Sequence, residues 1–213
     1  MEDAKSGRFE RRFELAATAL LAMAAVASSW AAYQGARWHG EQAKASSASI
    51  AARVESTRAA DVANRQTQID VALFTQWVDA FARDETELAD FYVKRFRVEF
   101  RPAFAAWVAT KPRKNPRAPL SPFAMPQYEL AATTRADRLE VKAATFSQRV
   151  GNFIQRADDY ALAVVLFAAS LFFAGISTRL RAPTAQMVVL GLGFTVFLGA
   201  VIWIATFPVS LSV

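Results

Sequence analysis

The 213-residue chain contains no cysteine and a single histidine, His39. The absence of cysteine excludes disulfides and cysteine-based metal sites. His39 has no base or nucleophile around it at a useful helical spacing, because the nearby Glu41 falls on a different helical face. A glycine-rich phosphate loop is also missing, since GLGFTVFLG at 191–199 lacks the pattern and a following lysine. We therefore predict a non-enzymatic protein with no catalytic residue, cofactor or metal site.

Charge is missing from three long segments of the sequence. Residues 15–33, 160–178 and 187–207 carry no Asp, Glu, Lys or Arg, although the chain as a whole has 25 basic and 19 acidic residues. A helix needs about 20 apolar residues to cross the hydrocarbon core of a bilayer. The sequence therefore predicts an all-α integral membrane protein with transmembrane helices at 15–36, 159–178 and 185–207.

The first apolar segment has a second interpretation as a cleaved signal peptide. The sequence AVA at 25–27, followed by Ser28, resembles a signal-peptidase site after a short apolar core. However, Glu2, Asp3, Glu10 and Glu14 leave the preceding segment poorly basic, and the apolar run continues to Tyr33. We favour a retained first helix over cleavage of the segment 15–27.

Three aromatic residues mark the end of the first predicted span. Trp30, Tyr33 and Trp38 are followed by the polar residue His39. Tryptophan and tyrosine favour the headgroup layer of a bilayer, where an amphipathic ring meets both lipid and water. These three residues are therefore predicted to form a membrane-interface belt, and the helix is predicted to continue into water without a true break.

The distribution of basic residues predicts the orientation in the membrane. Basic residues precede the first span at 5–12, and Arg179 and Arg181 lie between the second and third spans. With three spans these two segments share one side, which the positive-inside rule makes the cytoplasm. The N-terminus, 1–14, is then cytoplasmic and 37–158 extracytoplasmic. Basic residues near 37–44 and 149–156 argue for the opposite orientation, but long loops count less in this rule.

The region between the first two spans, 37–158, predicts a long out-and-back helical hairpin. Its first part is rich in helix-forming residues, with a thin apolar stripe at Ile50, Val54, Val62 and Ile69 that indicates packing against one partner, as in a coiled coil. The outgoing arm is too long for the returning arm, so a bend is expected near 84–87 or near Asn64. Five prolines make 111–126 a Pro-rich tip that cannot form one helix.

Aromatic and basic residues alternate at 91–104, FYVKRFRVEFRPAF. Such interleaving can indicate nucleic-acid or anionic-lipid binding. However, the aromatic residues from Tyr92 to Phe104 share a helical face, so we predict that they are core and that nucleic acid is not a partner. Pro102 is expected to break or kink this helix. Four further basic residues in the tip are a possible contact for an anionic partner, or only a solvated surface: Lys111, Arg113, Lys114 and Arg117.

Small residues recur every four positions in the second and third spans. One row is Ser170, Ala174 and Thr178, and the other is Gly191, Thr195 and Gly199. Such rows allow close approach of helices, either within one chain or between chains. The spans also lack the ionisable residues that transporters and proton relays place inside the membrane.

One short motif resembles a known group of proteins. Residues Ser28, Trp30, Ala31, Tyr33, Gln34 and Arg37 form the pattern SxWAxYQxxR at the end of the first span, ahead of a helical region and two further spans. This arrangement resembles a family of uncharacterised small bacterial inner-membrane proteins. The resemblance implies a bacterial inner-membrane location and no activity. The abundance of alanine and the excess of arginine over lysine also suggest a GC-rich bacterial genome.

These observations predict a self-associating membrane protein whose helical region acts as a scaffold or a partner-binding module. The expected partners are the lipid bilayer, further copies of the chain, and a protein bound through the helical hairpin. Two alternatives are an oligomeric ion channel or pore lined by the Ala- and Ser-rich first helix, and an accessory subunit of a transporter.

Overall fold

A computed structural model describes residues 3–207 and 209, with side chains described from residue 11 onward. In this part of the chain the regular structure is helical and contains no strand. Residues 1 and 2 of the predicted N-terminal segment, and the side chains of Lys5 and Arg8, lie outside the described residues. The elements are α1 (Asp3–Ala82), α2 (Thr86–Arg95), α3 (Arg101–Ala109), a short 3-10 helix (Pro122–Ala124), α4 (Ala131–Ser177) and α5 (Pro183–Ala205).

Three of these helices, α1, α4 and α5, are long and apolar enough to cross a membrane. The all-helical fold with three candidate membrane-spanning helices is therefore confirmed. The chain divides into two compact units, and α1 and α4 each contribute to both. Unit 1 comprises Met1–Ser47 and Ser147–Val213, and unit 2 comprises Ala48–Phe146.

Unit 1 packs α1, α4 and α5 around small and aromatic side chains. Its buried residues include Ala17, Leu20 and Ala24 of α1, Tyr160, Ala163 and Phe167 of α4, and Leu190, Phe197 and Ala200 of α5. Alanine at the contact positions lets the helix backbones come close together. Among the described glycines the most confined is Gly193, where an added Cβ would lie 3.2 Å from Leu20 Cδ2 and 3.3 Å from Phe173 Cβ.

Unit 2 contains an antiparallel pairing of α1 with α4 through a seam of small residues. The Ser49 hydroxyl donates to the carbonyl of Ala143 at 3.0 Å, and the Ser56 hydroxyl donates to that of Ala136 at 2.9 Å. On α1 the buried seam positions alternate in steps of three and four residues, a spacing typical of helix pairing through heptads. They are Ser49, Ala52, Ser56, Ala59 and Ala63.

The expected apolar stripe of α1 does not form this seam. Ile50, Val54, Val62 and Ile69 are all exposed in unit 2. Hydrophobicity alone predicts that the face with the largest apolar side chains is buried. The pair of α1 and α4 instead buries the face of α1 whose side chains are smallest. Each buried serine satisfies its hydroxyl on a backbone carbonyl, which removes the cost of burying a polar group.

The first helix is not a hairpin. It runs without interruption past Asn64, where a bend was considered, and ends at Ala82. The end is formed by a Schellman motif: Glu85 N–H donates to the Ala80 carbonyl at 3.0 Å, Asp84 N–H donates to that of Phe81 at 3.3 Å, and Asp84 takes a left-handed φ of 58°. The interruption of the helix therefore falls next to the acidic segment 84–87, which was the other predicted position of a bend.

The aromatic segment 91–104 is two helices rather than one helix broken at Pro102. Helix α2 ends at Arg95, and Pro102 lies in the first turn of α3. Proline is well tolerated there because the first helical N–H groups have no intrahelical acceptor. The Pro-rich segment 111–126 follows as hydrogen-bonded turns and the 3-10 helix.

Candidate functional site

Unit 2 has an aromatic core, which we call the aromatic cluster. Phe96 and Phe100 are almost completely buried, with ring centroids 5.0 Å apart, and Phe104 packs 4.8 Å from Phe96. The prediction that this row is core is therefore confirmed. The cluster joins α1, α2, α3 and the segment after them through Phe74, Trp77, Tyr92, Phe96, Phe100, Phe104, Trp107, Phe123 and Tyr128.

The basic residues interleaved with this row are engaged within the chain. The Arg95 guanidinium lies 3.3 Å from the centroid of the Phe91 ring. Arg101 donates through Nε to the Phe96 carbonyl at 2.9 Å and through Nη2 to the Lys94 carbonyl at 3.0 Å. These contacts satisfy carbonyls at the end of α2, so these two arginines are tied to structure rather than arranged as a nucleic-acid surface.

A polar cluster lies beside the aromatic cluster, centred on the fully buried Asp70. Its Oδ2 accepts from Arg97 Nη1 at 2.9 Å and from the Tyr128 hydroxyl at 3.1 Å. Burial raises the pKa of Asp70 above its usual value, because the loss of water outweighs the lowering effect of Arg97. Burial also raises the pKa of Tyr128. The other oxygen, Asp70 Oδ1, has no hydrogen-bond partner in the described part of the chain.

Glu99 extends this polar cluster to the start of α4. It forms an ion pair with Arg97, and its Oε1 accepts from the backbone N–H of Ala131 at 3.1 Å. Ala131 is the first residue of α4, and a carboxylate there satisfies a free N–H at the positive end of the helix dipole. The cluster thus fixes the return of the chain, and its two acids and one arginine offer no nucleophile–base pair.

The four predicted basic residues of the tip do not act as one group. All four are exposed, but only Lys111, Arg113 and Lys114 line a groove of unit 2, while Arg117 lies outside it. The segment is ordered by its backbone: the Lys111 carbonyl accepts from the N–H groups of Lys114 at 2.8 Å and of Asn115 at 3.0 Å. Lys111 itself has a left-handed φ of 51°.

The groove beside these three residues has a volume of about 690 Å³. Its floor includes Trp77 and Trp107, which are each only 8% exposed, and its edges include Val78, Phe81 and Val108. The indole N–H of Trp107 donates to the Pro119 carbonyl at 2.7 Å, so it presents no free polar group to the groove. A mostly apolar cavity of this size with a few charged groups is the usual form of a ligand site.

The predicted packing row of the third span lies on the outside of α5. Gly191, Thr195 and Gly199, which we call the outer row, are exposed in the single chain, and a Cβ added to either glycine would meet nothing within 4 Å. Packing within the chain uses Gly193 instead. The sequence left open whether this row packs within one chain or between chains. The structure shows that the outer row does not pack within the chain.

The predicted row of the second span is placed differently. Ser170 and Ala174 are fully buried in unit 1, whereas Thr178 is exposed. Ser177 takes the third buried position, since a step of seven residues from Ser170 makes about two helical turns. The structure therefore buries two of the three predicted residues and leaves Thr178 at the surface.

The three residues of the predicted interface belt separate into two groups. Trp30 and Tyr33 are exposed, with ring centroids 6.0 Å apart, as side chains facing lipid headgroups would be. Trp38 is buried in unit 1, stacked 5.6 Å from Phe153 and covered by the Arg156 guanidinium. The role of Trp38 is therefore packing of α1 against α4.

Sequence reasoning missed the residues that shape the groove and the seam. Asp70 gave no signal because an isolated acid on a polar helix normally faces water. Trp77 was not predicted, although tryptophan is enriched among the residues that dominate binding surfaces. Ser49 and Ser56 were not predicted either, although their spacing of seven is compatible with one buried helical face.

No family model, curated protein or solved structure matches this chain. In the part of the chain that the structure describes, no group of three or more His, Asp or Glu residues could hold a metal ion. Function must therefore be inferred from the geometry of the groove, the seam and the outer row.

Proposed function

We propose that this protein is a non-enzymatic, self-associating membrane protein in which unit 2 serves as a helical scaffold or partner-binding module. The observation that carries the proposal is the outer row of α5. A helix of high apolarity exposes Gly191, Thr195 and Gly199 on one face, with open space above both glycines. In a membrane, such a face lets a second copy of the chain approach closely.

The exposed stripe of α1 supports the same proposal from unit 2. Ile50, Val54, Val62 and Ile69 form an apolar row that the pairing with α4 leaves uncovered. A second helix packed along it would give a coiled-coil contact between copies or with a protein partner. Coiled-coil assembly remains a prediction.

We place the protein in a bacterial inner membrane, with the region 37–158 on the extracytoplasmic side. The support is the SxWAxYQxxR motif, the three apolar helices and the basic residues at 5–12 and 179–181. The exposed pair Trp30 and Tyr33 is consistent with a membrane boundary at the end of the first span.

The pore alternative has weaker support than the scaffold. It requires the small-residue face of α1 to line a channel, but Ala17, Ala24 and Ala31 are buried in the core of unit 1. A channel would then have to form between several copies of the chain and be lined by a different face of α1 or by another helix. The transporter-subunit alternative lacks support because the described apolar segments 15–33, 160–178 and 187–207 contain none of the ionisable residues that transporters place inside the membrane.

The proposal is tested by measuring the mass of the protein in a mild detergent. We expect an oligomer for the parent chain. Gly199→Leu should shift it to smaller species, because a bulky side chain separates the helix backbones. Gly175→Leu is the matched control, since that glycine also has nothing within 4 Å but lies on α4. A monomeric parent, or unchanged assembly of Gly199→Leu, would contradict the proposal, and ion flux in liposomes would favour the pore.

A further inference from the structure

The groove of unit 2 joins an apolar surface to a concentration of positive charge. On one side, Val78, Phe81 and Val108 are each about 40% exposed. Three large apolar side chains that line one groove thus keep much of their surface in contact with water. On the other side, Lys111, Arg113 and Lys114 reach the same cavity. An exposed apolar patch with a polar rim is typical of a binding surface.

The three cations have no acidic partner. Among the described residues, no carboxylate lies within ion-pair distance of Lys111, Arg113 or Lys114. The guanidinium of Arg113 lies 5.4 Å from the centroid of the Phe81 ring, so this charge sits directly at the apolar edge. An anion placed at this edge would interact with cations whose charge is not already neutralised within the chain.

The backbone holds the basic residues at the groove at some cost. Lys111 is in the left-handed region, which disfavours a residue with a Cβ, and two N–H groups bond its carbonyl to close the turn. Lys111 directly follows the C-cap of α3 and its N–H donates to the Val108 carbonyl at 3.0 Å, so this conformation ends α3 as the one at Asp84 ends α1. The turn brings Lys111 and Lys114 to the same cavity, while Arg117 does not line it.

We propose that this groove binds an amphiphilic anion, with an apolar chain or ring lying on Trp77 and Trp107 and a carboxylate or phosphate head held by Lys111, Arg113 and Lys114. The cavity of about 690 Å³ accommodates an apolar body of roughly ten to sixteen carbon atoms. A single-chain carboxylate and a single-chain phosphate share this chemistry. The inference rests on the proposed role of unit 2 as a binding module, but not on self-association.

The composition of the groove favours an amphiphile over a nucleic acid. A nucleic-acid surface needs a track of cations along a backbone and faces for stacking successive bases. In this groove the cations are confined to one end of a short segment, and Arg95 of α2 and Arg101 of α3 are engaged internally. The apolar part of the groove would therefore contribute to the binding of a ligand with an apolar body and not to the binding of a nucleic-acid backbone.

The test uses the full-length protein in phosphatidylcholine nanodiscs and radiolabelled decanoate in equilibrium dialysis, with empty nanodiscs subtracted. We expect saturable binding of one decanoate per chain. The triple variant Lys111→Gln, Arg113→Gln, Lys114→Gln should bind at least about tenfold more weakly, because a tenfold change corresponds to the loss of one or two charge-assisted contacts. Arg117→Gln, a basic residue of the same segment outside the groove, should bind as the parent does.

Two further measurements separate the apolar and anionic parts of the site. Val78→Trp, at an exposed position on the groove edge, should block binding without disturbing the fold, which circular dichroism checks. Decanol should bind at least about tenfold more weakly than decanoate if the head group matters. Comparison of decanoate with dodecyl phosphate then shows which head the cations prefer.

Several outcomes would overturn the inference. Decanoate and dodecyl phosphate could both fail to bind above empty nanodiscs, decanol could bind as well as decanoate, or the triple variant could bind as the parent does. Binding of an acidic, Trp-containing peptide in the absence of amphiphile binding would assign the groove to a protein partner instead. The mass of the same samples is measured in parallel, so loss of self-association is distinguished from loss of this site.

Discussion

Asp70 is a carboxyl group held in a place where its charge is costly. It is completely buried, and within the described residues Arg97 and Tyr128 are the partners that compensate for the water it has lost. The raised pKa of Asp70 means that the folded protein holds this proton more tightly than the unfolded chain does. The stability contributed by this group is therefore complete below its unfolded pKa of about 3.9 and is lost as the pH rises through its folded pKa.

We predict that Asp70→Asn removes this part of the pH dependence. As the pH falls from 7 through the folded pKa of Asp70, the parent should gain stability relative to the variant, which has no proton to bind at that position. The free energy of unfolding at several pH values, measured for both proteins, tests this. Glu99→Gln is a control for the neighbouring acid. A parent that loses stability relative to Asp70→Asn on acidification would contradict the predicted direction.

Phe100 anchors the aromatic cluster and is fully buried against Phe96, Phe123 and Tyr128. Phe100→Ala should therefore reduce the free energy of unfolding by roughly 3–5 kcal/mol, as for other large-to-small core changes. Phe91→Ala, at a half-exposed ring, should cost about 1 kcal/mol or less. Chemical denaturation followed by circular dichroism measures both, and equal losses would show that Phe100 is not a core residue.

At this scale the sequence predicted apolar residues better than polar ones. Phe96, Phe100 and Phe104 are buried as predicted, although they lie at the end of α2, before α3 and within α3 rather than on one helical face. Large aromatic side chains are driven into a core by their area, whichever elements carry them. Burial of Asp70 depends on Arg97, which lies 27 positions away along the chain. Nothing local specifies such a pairing, so it could not be read from the residues around Asp70.

The residue that closes the Schellman motif after α1, Asp84, is poorly suited to its conformation. Asp84 has a φ of 58° in the Schellman motif, a position where glycine is preferred because it has no Cβ. Asp84→Gly should therefore raise the free energy of unfolding by about 0.5–1 kcal/mol, the relief of strain exceeding the added chain entropy. A shift of the thermal midpoint measures this change.

Asp84→Ala provides the control for this prediction. It removes the same charge but keeps a Cβ, so it should not stabilise the protein. Equal stabilisation by both substitutions would attribute the effect to the charge of Asp84 at the end of α1 rather than to its backbone conformation.

At the scale of elements, the sequence predicted that helices exist but not where they are interrupted. The three apolar helices and an interruption near 84–87 were predicted correctly. Pro102 was expected to interrupt a helix and instead begins one, because the single residue does not reveal on which side the helix lies. The small-residue seam was missed since hydrophobic periodicity gives weight to Ile50 and Val54 but little to alanine and serine.

The orientation of the whole molecule in the membrane can be tested with introduced thiols, since the chain has no cysteine of its own. Leu120 is 98% exposed and lies in the Pro-rich tip. We expect Leu120→Cys to react with a membrane-impermeant maleimide in intact cells whose outer envelope has been permeabilised. The reason is the placement of residues 5–12 and 179–181 on the cytoplasmic side by the positive-inside rule.

Thr178→Cys is the matched control at the end of the second span. It is also exposed, but the predicted topology puts it on the cytoplasmic side, so it should react only after the inner membrane is opened. Ser177 is unsuitable because it is fully buried. The reverse labelling pattern would place unit 2 in the cytoplasm and make cytosolic molecules the candidates for its groove.

The hydrogen bonds of the seam have a consequence for how alignment is encoded in unit 2. Ser49 and Ser56 are seven residues apart, as are their acceptors Ala143 and Ala136. Every residue has a backbone carbonyl, so a slide of one heptad that brings Ser56 to the Ala143 carbonyl would bring Ser49 to the carbonyl of Val150, and both hydroxyls would again have an acceptor. The hydrogen bonds of the seam therefore do not by themselves fix the register of α1 against α4. The contacts that select one alignment of the two helices must therefore lie beyond the seam, in the specific contacts of Asp70 and of the aromatic cluster.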